Sequence, residues 1–266
     1  MMAGMPVTPP LSYVSTVRAG DLVAVGHVSV APEAPPRAVV LVHGLGSSSR
    51  AFRRMVPLLA AQGQVHALDL PGYGDSPRTG RDVPVHDHAA VVAQYVRTHV
   101  LEAGMPAPVI VGHSMGAQVV AQLLADHPDV ASAGVLLGPT SDTRARSLPR
   151  QAWRLAVDAV GEPPRTLGVL LVDTLLRCRP PYFLAQLRHV VAHHIEDALA
   201  GVSVPVVVVR GRNDPVAPQS WGEQLATVTR GELRTVDGRH HAMDGDPEGV
   251  AAAVADAWSA AGVEVS

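Results

Sequence analysis

The segment Gly112-His113-Ser114-Met115-Gly116 follows the apolar run Val109-Ile110-Val111 and precedes a stretch whose apolar residues recur at helical spacing. A serine on a sharp strand-to-helix turn, flanked by glycines, is the arrangement that makes a hydroxyl a nucleophile. The turn strains the serine backbone, and side chains at the two flanking positions would crowd it. It also sets a helix N-terminus, with unpaired amides and a positive dipole end, beside the group under attack. The plainer alternative is a glycine-rich turn with a serine helix cap. The strand before and the helix after favour the nucleophile.

Such a hydroxyl needs a base, an acid to orient the base, and donors for the oxyanion that forms. His43-Gly44-Leu45-Gly46 stands directly behind the apolar run Val39-Val40-Leu41-Val42. Its glycines let the backbone approach a reacting carbonyl, and His43 is read as a brace for that loop. Asp214 lies just past the apolar run at 204–209, at the end of a sheet where open α/β proteins build their sites. Asp142, after the run at 135–137, is the fallback acid, and Asp237 a further rival. Two adjacent histidines, His240 and His241, follow the final apolar run and compete for the role of base. The order Ser, Asp, His along the chain is the one expected when these parts sit on an α/β sheet.

Alternating strands and helices must carry these residues. Strands are predicted at 11–17 and 22–30, joined by Ala19-Gly20-Asp21 as a hairpin, then at 38–42, 65–68, 108–111, 135–137, 204–209 and 233–236. Helices are predicted at 49–61, 87–103, 114–125, 219–226 and 247–261. Alternation of this kind gives a mostly parallel sheet covered on both faces. Residues 140–200 break it: helical patterns at 150–160, 166–177 and 182–199, punctuated by Gly and Pro, fit a helical insertion over one end of the sheet.

Taken together, the chain resembles the α/β-hydrolase superfamily, and within it the cap-bearing serine hydrolases. The matching segments are His43-Gly44-Leu45-Gly46, Asp69-Leu70-Pro71-Gly72-Tyr73-Gly74-Asp75-Ser76, Gly112-His113-Ser114-Met115-Gly116, Gly211-Arg212-Asn213-Asp214-Pro215-Val216, and Gly238-Arg239-His240-His241-Ala242-Met243 with Pro247-Glu248. They span residues 35–260 and leave 140–200 without a motif. The resemblance implies a core from residues 1–139 and 201–266, and a helical cap at 140–200 inserted before the strand that carries the acid. It implies Ser114 as nucleophile, Asp214 as acid, and the amides of Leu45 and Met115 as the oxyanion hole. Resembling sequences place the histidine after a short loop of Gly and two residues. Counted from Val236, that register selects His241, with Ala242-Met243 behind it and His240 as its rival.

The implied chemistry is cleavage of a carboxylic ester, or a related acyl bond, of a small to medium apolar substrate through an acyl-enzyme, with no cofactor. Carbon–carbon hydrolysis of a ring-cleavage diketone, lactone or thioester hydrolysis, and acyl transfer use the same parts. A non-catalytic ligand-binding member of the fold is the alternative of a different class. Serine at the elbow argues against the haloalkane dehalogenase and epoxide hydrolase branches, which use Asp there. Aromatic residues are only 3% of the chain, so an aliphatic pocket is expected, with Tyr73, Trp153, Tyr182 and Phe183 as candidate substrate-binding rings.

Composition bounds the rest. A chain of 266 residues, 47% hydrophobic and 17% charged, can bury a large core. A net charge of -3 gives no electrostatic reason to expect nucleic acid or an anionic membrane; a small-molecule acyl substrate is the expected partner. All 21 basic residues are Arg, which removes chemistry that needs a lysine amine. A single cysteine, Cys178, excludes an internal disulfide and a cysteine-based zinc site. His86-Asp87-His88 and His193-His194 lack a partner motif, so no metal is expected. Arg144, Arg146, Arg150 and Arg154 read as a solvated helix face or as a clamp for a carboxylate or phosphate. Residues 1–10 show no leader pattern and no apolar run is long enough to span a bilayer; a cytoplasmic protein is expected.

Overall fold

In the computed structural model, which describes residues 10–263, the chain opens with the hairpin of β1 (Leu11–Ala19) and β2 (Leu22–Val30). Gly20 turns it at φ 62°, a left-handed angle that suits glycine. There follow β3 (Ala38–Val42), a 3-10 turn at Ser49–Phe52, α1 (Met55–Ala60), β4 (Gln64–Asp69) and α2 (Val85–Val96). Next come β5 (Val109–His113), α3 (Met115–Asp126) and β6 (Ala133–Leu137). Helices α4 (Leu148–Gly161), α5 (Pro164–Val172), α6 (Pro180–Ala192) and α7 (Ile195–Leu199) fill the space before β7 (Val206–Gly211). The chain then runs through α8 (Gln219–Thr229), β8 (Glu232–Val236), α9 (Ala242–Gly245) and α10 (Pro247–Ala260). The leader expectation for residues 1–9 lies outside the described residues.

The strands form one eight-stranded sheet in the order β1-β2-β4-β3-β5-β6-β7-β8. β2 pairs antiparallel with β1 and β4, and from β4 onward every pairing is parallel. Alternate side chains of each strand enter opposite layers. Val40, Val42, Ile110, Leu136 and Val208 pack with α2, α3 and α8. Val39, Leu41, Val111, Val135 and Val209 pack with α1 and α10. Burial on both faces is why these strands read as unbroken apolar runs. No helix among the described residues is long and apolar enough to cross a membrane.

Helix boundaries differ from expectation at breaks that side-chain periodicity does not mark. The helix predicted at 49–61 is split into the 3-10 turn and α1. The one predicted at 182–199 stops at Ala192 and resumes at Ile195, with His193 and His194 in extended backbone. Two helices run on into π turns, at Arg97–Leu101 and Asp173–Cys178. The insertion lies over the carboxyl end of the sheet, where Thr174 Oγ1 donates to the Gly46 carbonyl at 2.9 Å and Gln118 donates to the Val190 carbonyl at 2.9 Å.

Candidate active site

Ser114 joins β5 to α3 with φ 57° and ψ -116°, a conformation that L-residues rarely adopt. Two close approaches hold it there. A Cβ on Gly112 would lie 2.2 Å from the Gly116 carbonyl oxygen, and one on Gly116 would lie 2.2 Å from that of Val42. The Ser114 amide donates to the Leu137 carbonyl at 2.9 Å, which ties the turn to the end of β6. Met115 is the first residue of α3, so its amide has no carbonyl within the helix to meet.

The imidazole that meets Ser114 is that of His240, not His241. His240 Nε2 stands 2.9 Å from Ser114 Oγ, and His240 Nδ1 stands 3.0 Å from Asp214 Oδ2. His241 instead turns Nδ1 to Glu162 Oε1 at 3.3 Å. The difference arises in the loop after β8. The Arg212 and Asn213 amides donate to the carbonyls of Val236 and Gly238, which draws that loop over the end of β7. Gly238, at φ 112°, turns it so that the carbonyl of Arg239 rests against Gly211. The side chain of residue 240 therefore falls between Asp214 and Ser114. Residue 241 already accepts the amides of Asp244 and Gly245 as α9 begins, and its ring points to α4. Counting residues beyond Val236 sets a loop length but not the direction in which each side chain leaves it.

Asp214 is 3% exposed and its carboxylate is fully engaged: Oδ1 accepts the amides of Val216 at 2.7 Å and Ala217 at 3.0 Å, leaving Oδ2 for His240. Burial works to raise its pKa, but His240 and the two amides prevail and hold it below the usual carboxylate value. Burial likewise opposes charge on His240, and the carboxylates of Asp214, Asp158 and Glu162 outweigh it, holding that histidine above its ordinary value. The rival acids are elsewhere: Asp142 pairs with Arg154 at 2.9 Å, and Asp237, largely exposed, pairs with Arg212 at 3.2 Å.

His43 accepts the Leu70 amide on Nε2 at 3.1 Å, so Nδ1 carries the proton and donates to the Gly44 carbonyl at 2.8 Å. Burial depresses its pKa, and the neutral ring braces the loop that carries Leu45. Asp69 is a hub of the same region, accepting the amides of Ser49 at 2.6 Å and Asp75 at 2.8 Å.

Over Ser114 and His240 lies a cavity of ≈ 180 Å³. Leu45, Leu155, Ala159, Leu170, Leu187 and Val190 line it, with Phe183 the one phenyl ring. The other three rings expected there are placed differently. Trp153 is 70% exposed on the outer face of α4. Tyr73 is wholly buried below the site, its hydroxyl donating to Met115 Sδ at 3.8 Å. Tyr182 donates to the Pro71 carbonyl at 2.9 Å and packs edge-on against Tyr73. Large aromatic residues have two homes near such a cavity, the pocket and the packing behind it, and residue type does not tell them apart.

The polar lining includes two residues without a sequence motif, Asp158 and Glu162 of the α4 end. A signal for them existed: two acids four residues apart share one helix face, and they sit at the C-terminal end, where the helix dipole disfavours negative charge. Ligand-type atoms of Asp158, Glu162 and His241 lie within 4.8 Å of one another, as do those of His27, Asp69 and Asp75. Both groups are hydrogen-bonded networks built around backbone amides. The four arginines read as a face or a clamp lie off the cavity: Arg144 donates to Ser220, Arg146 pairs with Glu196, Arg150 donates to the Arg144 carbonyl, and Arg154 pairs with Asp142.

Residues 39–253 match the alpha/beta hydrolase family. Among curated relatives, the pimeloyl-[acyl-carrier protein] methyl ester esterase of Neisseria meningitidis serogroup C is 27% identical over 74% of this chain and 83% of its own. The magnesium-chelatase 30 kDa subunit of Rhodobacter capsulatus is 26% identical over 82% of this chain and 85% of its own. Among solved structures, the enol-lactonase of Burkholderia xenovorans LB400 superposes with a TM-score of 0.77 at 17% identity, covering 92% of this chain and all of that one, a likeness of fold. Elbow, sheet order and family match agree, and the chain belongs to the alpha/beta hydrolase family.

Proposed function

We propose that this hydrolase is a serine esterase that cleaves the carboxylic ester of a small to medium apolar acyl substrate, with Ser114 as nucleophile, His240 as base and Asp214 as the orienting acid. The observation that carries the reading is the chain of contacts Ser114–His240–Asp214, at 2.9 Å and 3.0 Å, beneath an aliphatic cavity. As Ser114 Oγ bonds to the acyl carbon, its proton passes to His240 Nε2. Asp214 accepts the hydrogen bond from Nδ1–H throughout, without taking the proton, and stabilises the imidazolium. The carbonyl π electrons move onto oxygen, where the amides of Met115 and Leu45 receive them. On collapse the alkoxide leaves with the proton from His240. Water then repeats the sequence and releases the acid.

The methyl ester esterase relative supports this choice of bond, and the aliphatic lining supports an apolar acyl chain. The insertion at 140–200 acts as the cap that roofs the chain-binding space. The test is labelling with a fluorophosphonate probe together with turnover of p-nitrophenyl esters. Ser114→Ala is expected to abolish both. Persistent labelling of that variant, or unchanged ester turnover, overturns the assignment.

A further inference from the structure

Three successive residues of the loop after β8 are held by the end of a helix that belongs to the insertion. The His240 amide donates to Asp158 Oδ1 at 3.2 Å, and the His241 amide donates to Glu162 Oε1 at 3.1 Å. Arg239 Nη2 donates to the Val157 carbonyl at 2.9 Å, and its Nε lies 3.4 Å from Asp158 Oδ1. The Arg239 guanidinium lies flat against α4 at Gly161, where a Cβ would come within 2.3 Å of Cζ. A cation at a helix C-terminus is favoured by the dipole, so Arg239 also offsets the two acids placed there. Asp158 and Glu162 are 2% and 7% exposed. Buried carboxylates are costly unless they are paired, and their partners here are the backbone amides and the side chains of the base loop.

We propose that Asp158 and Glu162 are positioning residues for the base: from the end of α4 they grip the amides of His240 and His241 and so keep the His240 ring between Asp214 and Ser114. This rests on the assignment of His240 as base. The helix that roofs the cavity thereby also fixes the loop that carries the base.

A grip by charge has a consequence that a neutral brace lacks. The groups facing His240 are Asp214 beyond β7, Asp158 and Glu162 on α4, His113 at the end of β5, and its neighbours Arg239 and His241. His113 is held neutral by burial and donates Nε2–H to the His240 carbonyl at 3.0 Å. The three carboxylates all favour the protonated imidazole. Removing one of them makes His240 give up its proton more readily.

The experiment is a pH profile of kcat/KM with p-nitrophenyl acetate for wild type, Asp158→Asn, Asp158→Ala and Glu162→Gln, with turnover by His240→Ala measured alongside. Asn keeps an oxygen that can accept the His240 amide while losing the charge. The acid limb of both amide variants is expected to move to lower pH by about half a unit. The Ala variant is expected to lose on the order of tenfold at the plateau relative to Asn, because the loop is no longer held. A limb at the wild-type position in both amide variants, or equal plateaus for Ala and Asn, overturns the proposal. Failure of the underlying reading is seen separately, as turnover by His240→Ala equal to that of wild type.

Discussion

Gly116 packs so closely on Val42 that a Cβ added to it would stand 2.2 Å from the Val42 carbonyl oxygen. The obstacle is main chain of the central strand, which cannot swing aside as a side chain could. Gly116→Ala must therefore push α3 away from β3 or twist the elbow at Ser114. Overpacking of this kind typically costs about 1–3 kcal/mol. A fall in the urea midpoint with a matching loss of ester turnover is expected. A variant with the wild-type midpoint would mean that the elbow is looser than these contacts require.

Two adjacent imidazoles make opposite predictions. His240→Ala removes the ring between Ser114 and Asp214 and is expected to lower kcat roughly 10³-fold or more. His241→Ala leaves that ring in place and removes the side-chain contact to Glu162 and the contacts to the His113 and His240 rings, so a loss of less than about tenfold is expected. Steady-state kinetics on p-nitrophenyl butyrate separates the two. The reverse ranking would restore His241 as the base.

How far this site could be read from residue order depends on how local each feature is. The elbow shows in the sequence because its glycines and serine fall within five residues, Gly112 to Gly116, although the carbonyl that Gly116 must clear belongs to Val42 on β3. Asp214 lies beside His240 because a carboxylate just past a buried strand has few places to go. The choice between His240 and His241 turned on the carbonyl of Arg239 resting on Gly211. That is a contact between distant strand ends, and it carries no mark in the local sequence. The insertion was least legible. Gln151, Leu155 and Asp158 of α4, with Glu162 at its C-cap, meet the cavity, while Val157 and Val160 stand exposed; a helix that buries polar residues and exposes apolar ones reverses what its pattern implies. Trp153 was expected inside and stands outside for that reason.

The pH dependence follows from the charge around the base. In the proposed mechanism His240 must be neutral to accept the Ser114 proton. Despite its burial, the nearby carboxylates hold its pKa above the ordinary value of 6.5. Activity is therefore expected to rise with pH through a midpoint above 6.5 and then level off. A profile of kcat/KM from pH 5 to 9 gives that midpoint directly. A midpoint below the ordinary histidine value would show that burial prevails over Asp214, Asp158 and Glu162.

Leu187 of α6 faces the cavity together with Phe183 and Val190, one turn apart on the same side of the helix. Leu187→Trp adds volume to a space of only ≈ 180 Å³. Short acyl chains still fit, and longer ones collide with the new ring. The ratio of kcat/KM for p-nitrophenyl hexanoate to that for the acetate is expected to fall about tenfold. An unchanged ratio would place the acyl chain in another part of the site.

Asp69 supports the site from below, and its stabilising effect should fade in acid. Burial opposes its ionisation, but His27, His43 and the amides of Asp75 and Ser49 prevail and bring its pKa to about 2 from 3.8. A carboxyl whose folded pKa is depressed contributes stability above its unfolded value and loses it as the pH falls through the folded one. The contribution at neutral pH is about 2 kcal/mol on that basis. Asp69→Asn removes the charge and sets an amide nitrogen against one of the two backbone donors. Urea unfolding at pH 7 should show the variant less stable than wild type, and the gap should narrow steadily between pH 4 and pH 2. A gap of the same size at both ends would mean that Asp69 acts through packing rather than through its charge.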